Sequence, residues 1–187
     1  MHGFHNLALR IDVSQKSFEI EKIPDSVLKQ TLGGKGLATY LLLKYNPAGV
    51  NPLGPDNHLI FAIGPVTGTA LWGSCRHGVY TKSPLTGCYA ESYSGGTAAE
   101  HMAAAGVDAV MIYGVSPDPV WLEIAEHSVQ FHAASDLWGL DTRQTEDRIR
   151  SWLKSSRPDA DSAGVLTIGP AGENRVAFAV IENDYWR

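Results

Sequence analysis

The sequence contains 187 residues, of which 44% are hydrophobic and 19% charged, and its formal net charge is −5. This composition supplies a buried core for one ordinary domain and argues against intrinsic disorder. The negative charge argues against binding to nucleic acid or to an anionic membrane, and no apolar run approaches the ~20 residues that span a bilayer. Residues 1–10 lack the basic and apolar regions of a signal peptide, so we expect a cytoplasmic protein.

The chain begins with a predicted β-hairpin, which two helices follow. Apolar and polar residues alternate through residues 7–13 and again through 18–21, which is the pattern of half-buried strands. Pro24 suits the first turn of a short helix because its φ is fixed and it has no N–H. A glycine break at residues 33–36 precedes the second helix, and a loop rich in proline and glycine comes after it.

The remainder of the chain is mostly strands, with two further helices. An alanine-rich helix is predicted at residues 97–105 and another at 142–154, with Asp141 or Thr142 as its cap. Because the strands come in runs with few helices between them, we expect an α+β fold with largely antiparallel sheets rather than a doubly wound fold. Short apolar runs predict these strands at residues 58–64, 76–82, 87–93, 107–113, 120–125, 165–168 and 176–181.

One sequence pattern occurs twice. The apolar run before Gly64-Pro65 and the one before Gly169-Pro170 both end in a Gly-Pro turn, and another glycine comes shortly after each turn. Two copies are too few for a repeat protein. The pattern therefore indicates either a duplicated half-domain, in which the two turns occupy equivalent places, or a chance similarity.

The residues that commonly build metal or hydrolase sites are sparse in this chain. Cys75 and Cys88 are its only cysteines. They either form one disulfide or stay reduced, and they are too few to hold a four-iron cluster alone. The seven histidines show no paired helical spacing for zinc, and no nucleophile elbow of a serine hydrolase is present.

Residues 94–97, here called the 94–97 loop, carry the strongest local signal. Gly95 and Gly96 lead directly into the alanine-rich helix, and backbone N–H groups at a helix N-terminus favour a phosphate or another anion. The alternative is a plain turn in which Ser94 or Thr97 caps the helix. Arg76 lies among turn-forming residues, where it either clamps a polar ligand through its guanidinium or stays solvated at the surface.

Six segments, taken in order along the chain, resemble one family closely. That family is the tungsten-containing aldehyde ferredoxin oxidoreductases, and the similarity covers nearly the whole chain at its N-terminal domain. The segments are residues 32–42 (LGGKGLATYLL), 51–57 (NPLGPDN), 63–69 (IGPVTGT), 81–87 (TKSPLTG), 94–96 (SGG) and 168–174 (IGPAGEN).

The resemblance implies a fold and an activity for the complete enzyme. The implied fold consists of two β-sheets from a duplicated, segment-swapped half-domain, on which a tungsten bis-pyranopterin cofactor rests with a magnesium ion between its phosphates. The implied reaction converts an aldehyde and water into a carboxylic acid, and two electrons pass through a 4Fe-4S cluster to ferredoxin. The implied partners are ferredoxin, the aldehyde and the enzyme's own C-terminal domains. Whether the enzyme forms a homo-oligomer is left open.

The resemblance also places cofactor-binding residues. Arg76 and Arg187 match arginines at the pterin, and Gly95 falls in a loop that faces the cofactor. The family has asparagine where this chain has Tyr93. A backbone carbonyl at that position helps to bind the magnesium, so the resemblance implies this backbone contact for Tyr93 but not the side-chain contacts of asparagine. The complete implied set is Arg76, Tyr93, Ser94, Gly95, Gly96 and Arg187.

The cysteines of the cluster and the acid or base groups near tungsten lie in later domains of this family. We therefore expect residues 1–187 to be a truncated, tungstopterin-binding N-terminal domain that has no catalytic residue and carries neither tungsten nor iron when isolated. Two alternatives stay open. One is a different tungstopterin reaction on the same scaffold, such as oxidation of a sugar-phosphate aldehyde or reduction of an aromatic acyl-CoA. The other is a non-catalytic module that binds anions or serves as a scaffold.

Overall fold

A computed structural model describes residues 1–158 and 162–185, and these residues form strands and helices in a mixed α+β arrangement. The helices are α1 Asp25–Thr31, α2 Gly34–Tyr45, α3 Ala98–Ala104, α4 Thr142–Ser156 and α5 Pro170–Glu173. The strands are β1 Leu7–Asp12, β2 Ser17–Lys22, β3 Leu59–Ile63, β4 His77–Lys82, β5 Tyr89–Ser94, β6 Ala109–Tyr113, β7 Val120–Ala125, β8 Ser128–Ala133, β9 Leu166–Thr167 and β10 Glu182–Asn183.

The central structure is a six-stranded sheet in the order β2-β1-β6-β3-β4-β5. Strand β6 lies between β1, to which it is parallel, and β3, to which it is antiparallel. Its residues Ala109, Val110 and Met111 are all buried, as expected for a strand covered on both faces. Every other neighbouring pair in this sheet is antiparallel, which confirms the expected largely antiparallel α+β class.

Helices α1 and α2 cover one face of this sheet. Leu28 of α1 and Leu37 and Leu41 of α2 are at most 1% exposed and pack against residues of the sheet. The two helices approach each other so closely that a Cβ on Gly36 would lie 2.2 Å from the backbone oxygen of Thr31. Glycine at this position therefore permits the contact between the helices.

The opposite face is covered by α3 and by the hairpin of β7 and β8. Met102 of α3, with Leu122 and Phe131 of the hairpin, packs against the buried cluster on this face. On the hairpin, Trp121 stacks on His132 at 4.1 Å between ring centroids, and Trp152 of α4 meets Trp121 edge-on at 4.9 Å. Trp138, by contrast, is 52% exposed.

The structure differs from the expected elements in four places, because β8, α5 and β10 were not expected and residues 176–181 form no strand. Strand β8 was not expected, because the turn before it contains no glycine; His127 instead adopts a left-handed φ of 57°. The strand expected at residues 176–181 was wrong: Ala179 N donates to the backbone oxygen of Val176 at 2.9 Å, which closes a turn. Its apolar character indicated a strand, but Phe178 is 73% exposed in this domain.

The described residues contain one six-stranded and two two-stranded sheets. The Gly64-Pro65 turn follows β3 of the large sheet, whereas Gly169-Pro170 follows β9 and begins α5. The equivalence of two duplicated halves stays a prediction. Cys75 and Cys88 are free thiols, so the structure corresponds to the reduced alternative. No helix of the described residues has both the length and the apolarity needed to cross a membrane.

Candidate functional site

Arg76 and Gly95 lie side by side at one end of strands β4 and β5. The register of these strands pairs His77 with Ser94, so the next residues outward are Arg76 and Gly95. A Cβ built on Gly95 would lie 2.2 Å from Nη1 of Arg76. The guanidinium thus lies directly over the glycine, in space that any other residue would fill.

The charge of Arg76 is not neutralised by the described part of the chain. Within residues 1–158 and 162–185 its side chain makes one hydrogen bond, from Nη1 to the backbone oxygen of Cys75 at 3.3 Å, and no ion pair. A guanidinium has five N–H donors in a planar fork that matches carboxylate and phosphate oxygens. Most of this donor capacity remains available to an anionic ligand.

Tyr93 lies on the same strand as Ser94, but its side chain belongs to an aromatic group on the sheet. Its ring meets the buried Tyr80 edge-on, with 6.1 Å between centroids and an angle of 88°. Tyr93 itself is 57% exposed. The side chain therefore stands at the surface beside Tyr80, and the backbone contact that the family resemblance implies for Tyr93 stays a prediction.

The 94–97 loop is held by two consecutive residues from the far end of the chain, Asn183 and Asp184. The Asn183 amide donates from Nδ2 to the backbone oxygen of Gly95 at 2.8 Å, and the Ser94 hydroxyl donates to Oδ1 of Asn183. Oδ2 of Asp184 accepts from the backbone N–H of Thr97 at 2.6 Å and of Ala98 at 3.2 Å. We call this pair the Asn183–Asp184 clasp.

The clasp changes the expected picture of the N-terminus of helix α3. The sequence indicated either a bound anion there or a cap from Ser94 or Thr97. Instead, the carboxylate of Asp184 receives these N–H groups, and the Thr97 hydroxyl also donates to it at 3.0 Å. Gly96 adopts a left-handed φ of 83°, and a Cβ there would lie 2.4 Å from Asn183 Nδ2, so glycine makes room for the clasp.

Asp184 also connects the loop to helix α4. Its Oδ1 accepts from the N–H of Val165 and from Nη2 of Arg150, both at 3.2 Å, and the residue is only 4% exposed. Burial alone would raise the pKa of Asp184. The hydrogen bonds from Thr97, Val165 and Asn183 outweigh burial and hold this pKa below its ordinary value of 3.8.

This lowered pKa predicts a specific dependence of stability on pH. Because the folded state favours the ionised carboxylate, its contribution is present above about pH 5 and is lost as the pH falls through the lowered pKa. We expect the free energy of unfolding of the wild type to exceed that of Asp184→Asn at neutral pH, and the difference to shrink towards about pH 3. Urea titrations of both proteins across this range measure it. A difference that stays constant would contradict the assignment.

Five of the six expected site residues lie within the described residues, and Arg187 lies outside them. Arg76 and Gly95 are side by side, Ser94 donates to Asn183 and Gly96 leaves room for the clasp. Tyr93 has its side chain beside Tyr80. The sequence analysis missed Asn183 and Asp184, since two polar residues after an apolar run carry no distinctive signal. No group of three or more potential metal ligands occurs within residues 1–158 and 162–185.

Comparisons with known proteins agree with the resemblance of the motifs. The family described as "Aldehyde ferredoxin oxidoreductase, N-terminal domain" matches residues 8–187. The tungsten-containing aldehyde ferredoxin oxidoreductases of Pyrococcus furiosus and Thermococcus kodakarensis are each 39% identical over 98% of this chain, which spans 30% of their length. The WOR-like subunit of an aliphatic sulfonate oxidoreductase of P. furiosus is 29% identical over 97% of the chain.

A solved structure shares the fold. It is the active-site complex BamBC of benzoyl coenzyme A reductase with 1,5-dienoyl-CoA; one of its chains matches 97% of this chain with a TM-score of 0.90 and 35% identity. The match spans 27% of that chain. The chain thus belongs to the aldehyde ferredoxin oxidoreductase family and corresponds to the N-terminal domain of its members.

Proposed function

We propose that this domain seats the tungsten bis-pyranopterin cofactor of a larger oxidoreductase. The single observation that carries the proposal is the Arg76 guanidinium, which lies over Gly95 with its charge unpaired among the described residues. The membership of the family and the tungsten named in its relatives support the same conclusion. When bound, the cofactor supplies the redox chemistry, while this chain supplies binding and orientation.

The chemistry of the site fits such a cofactor. A bis-pyranopterin is a large polar group with anionic phosphates, so it needs several donors from separate segments. Arg76 offers a planar fork of donors, and Gly95 leaves the backbone beside it free of a side chain. Ser94, Gly96 and the backbone of Tyr93 border the same place, the last of them as the proposed carbonyl ligand of a magnesium ion. We propose Arg187 as the second arginine at the pterin.

For the whole enzyme we propose the oxidation of an aldehyde to a carboxylic acid. Water supplies the added oxygen, and two electrons leave through a 4Fe-4S cluster, held by the C-terminal domains, to ferredoxin. In this scheme no residue of the present chain acts as acid, base or nucleophile. A cytoplasmic location and a homo-oligomeric state belong to the same proposal.

Exposed apolar side chains support the proposal that the enzyme's own further domains cover part of this surface. Trp72 is fully exposed, Leu71 is 60% exposed, and Phe178 and Val180 are 73% and 64% exposed. Groups of large apolar side chains in water commonly mark surfaces that another protein surface covers. Because the chain spans only 30% of the tungsten-containing relatives, those enzymes have ample additional chain for this role.

A second reaction on the same scaffold is the main alternative. The benzoyl coenzyme A reductase complex and the sulfonate oxidoreductase subunit both share this domain, so the domain itself does not select the substrate. The deciding experiment assays the full-length protein, supplied with an electron acceptor or donor, against aldehydes, a sulfonate and an aromatic acyl-CoA. Turnover of an aldehyde supports our proposal; turnover of another substrate alone favours the alternative. A full-length protein without tungsten or pterin would point to a non-catalytic module.

Arg76→Ala is expected to weaken cofactor retention without unfolding the domain. A hydrogen bond from a charged group contributes about 2 kcal/mol, so losing one lowers affinity roughly thirtyfold. The exposed side chain contributes little to the core. Tungsten and pterin content per folded protein, together with thermal unfolding, measure the effect. Arg148→Ala, which removes an exposed arginine from α4, serves as the control. Wild-type tungsten content in Arg76→Ala would remove Arg76 from the site.

A further inference from the structure

We infer that the Asn183–Asp184 clasp is a positioning device that fixes the 94–97 loop, and thereby Gly95 against Arg76, at the proposed cofactor site. The inference rests on the proposed function, since it assigns the clasp a role at that same site. Neither residue was among those that the family resemblance implies. Both side chains direct their polar groups into the protein, so they act on the cofactor through the loop rather than by contact.

The first argument is the number of separate segments that the clasp joins. The Asp184 carboxylate accepts from Thr97 and Ala98 at the start of α3, from Val165, and from Arg150 of α4. Asn183 bonds to Ser94 and Gly95. Two adjacent residues therefore hold the whole segment 94–98, Asn183 at its start and Asp184 at its end. The position of this segment depends on where residues 183 and 184 lie.

The second argument is that the clasp is itself held rigidly. Asp184 and Tyr185 adopt left-handed φ values of 46° and 54°, which are costly for residues with a side chain. Tyr185 N donates to Oε2 of the buried Glu146 at 2.7 Å, and Asp184 N donates to the backbone oxygen of Val165 at 3.1 Å. Strained residues persist where the surroundings determine their conformation, and such residues occur preferentially at functional sites.

The third argument connects the clasp to the proposed cofactor-binding group. The Asn183 amide holds the Gly95 carbonyl, and the Cα of Gly95 lies under the Arg76 guanidinium. If the loop shifted, another part of the loop would replace Gly95 under Arg76, and the room for the guanidinium would be lost. The clasp therefore acts on the direction of the guanidinium through one glycine.

The experiment compares two variants of the full-length protein. Each variant removes a carboxylate that accepts hydrogen bonds from N–H groups at the start of a helix. Asp184→Ala removes the clasp at α3. Asp141→Ala removes the capping box of α4, where the Asp141 carboxylate accepts from Gln144 N at 2.7 Å. Measurements are the thermal midpoint, hydrogen exchange of residues 94–98, and tungsten and pterin content per folded protein. Asn183→Ala, which removes the bond to Gly95, is tested in parallel in case Asp184→Ala does not fold.

We expect both carboxylate variants to lower the thermal midpoint, and only the clasp variants to raise exchange in residues 94–98. Tungsten per folded protein should fall roughly tenfold in the clasp variants, as is typical for groups that orient a metal site from outside it, and stay at the wild-type level in Asp141→Ala. Wild-type tungsten in Asp184→Ala or Asn183→Ala, alongside tungsten loss in Arg76→Ala, would overturn the inference while leaving the proposed function intact. A wild-type protein without tungsten or pterin would overturn both.

Discussion

Replacing Gly95 by alanine is expected to displace the Arg76 guanidinium and to lower cofactor retention while leaving the domain folded. The new Cβ would lie 2.2 Å from Nη1 and 3.2 Å from Cζ of Arg76. The obstructed atoms are the end of a long flexible side chain, so the arginine swings away and the fold survives. The loss should equal that of Arg76→Ala, roughly thirtyfold in affinity, and is measured as tungsten and pterin content per folded protein.

A double-mutant cycle makes this prediction sharper. If the Gly95→Ala effect acts through Arg76, the double variant should retain as much cofactor as Arg76→Ala alone. The reason is that the effects of substituting two residues in contact do not simply add. Gly64→Ala is the matched control, since a Cβ there meets nothing within 4 Å. Losses that simply add would mean that Gly95 acts independently of Arg76, for instance by direct contact with the ligand.

Replacing Gly36 by alanine should destabilise the domain more than any exposed substitution. The new Cβ would lie 2.2 Å from the backbone oxygen of Thr31 and 3.0 Å from its Cα, and a backbone cannot move aside as a side chain can. Alanine gains up to about 1 kcal/mol over glycine in helix propensity, but forcing two packed helices apart costs about 3 kcal/mol. The net effect is a loss of about 2 kcal/mol, measured by urea unfolding.

Gly34→Ala provides the control at the same helix start. Nothing lies within 4 Å of a Cβ at Gly34, although its φ of 47° is left-handed, so alanine costs only about 1 kcal/mol there. A larger loss for Gly34→Ala than for Gly36→Ala would contradict the contact between α1 and α2. Cofactor retention per folded protein should be unchanged in both variants, since neither glycine lies among the proposed site residues.

Most of the fold was predictable because its elements carry strong local signals. The hairpin of β1 and β2 shows an alternating pattern, and α4 is capped by Asp141, one of the two expected caps. The order of strands was not predictable: β6 lies between β1 and β3, and this placement depends on long-range packing. The strand expected at residues 176–181 failed because apolar character alone does not distinguish a strand from a turn whose side chains are exposed.

The candidate site was predictable only in part. Arg76 and Gly95 were both expected at the site, and the register of β4 with β5 explains why they meet. The loop signal indicated either a bound anion at α3 or a cap from Ser94 or Thr97, and the carboxylate of Asp184 takes this place instead. Glycine, serine and threonine before a helix show that negative charge is favoured there, but they do not show whether a ligand or the chain's own side chain provides it.

The long span of the clasp has a consequence for the order of folding. The six-stranded sheet is complete at Tyr113, whereas Ser94 and Asn183 bond across 89 positions of sequence. Chains are synthesised from the N-terminus, and contacts between distant residues form only after both have emerged. A growing chain therefore completes its large sheet well before the 94–97 loop can take its final shape. Synthesis thus separates the formation of the scaffold in time from the maturation of the loop beside Arg76.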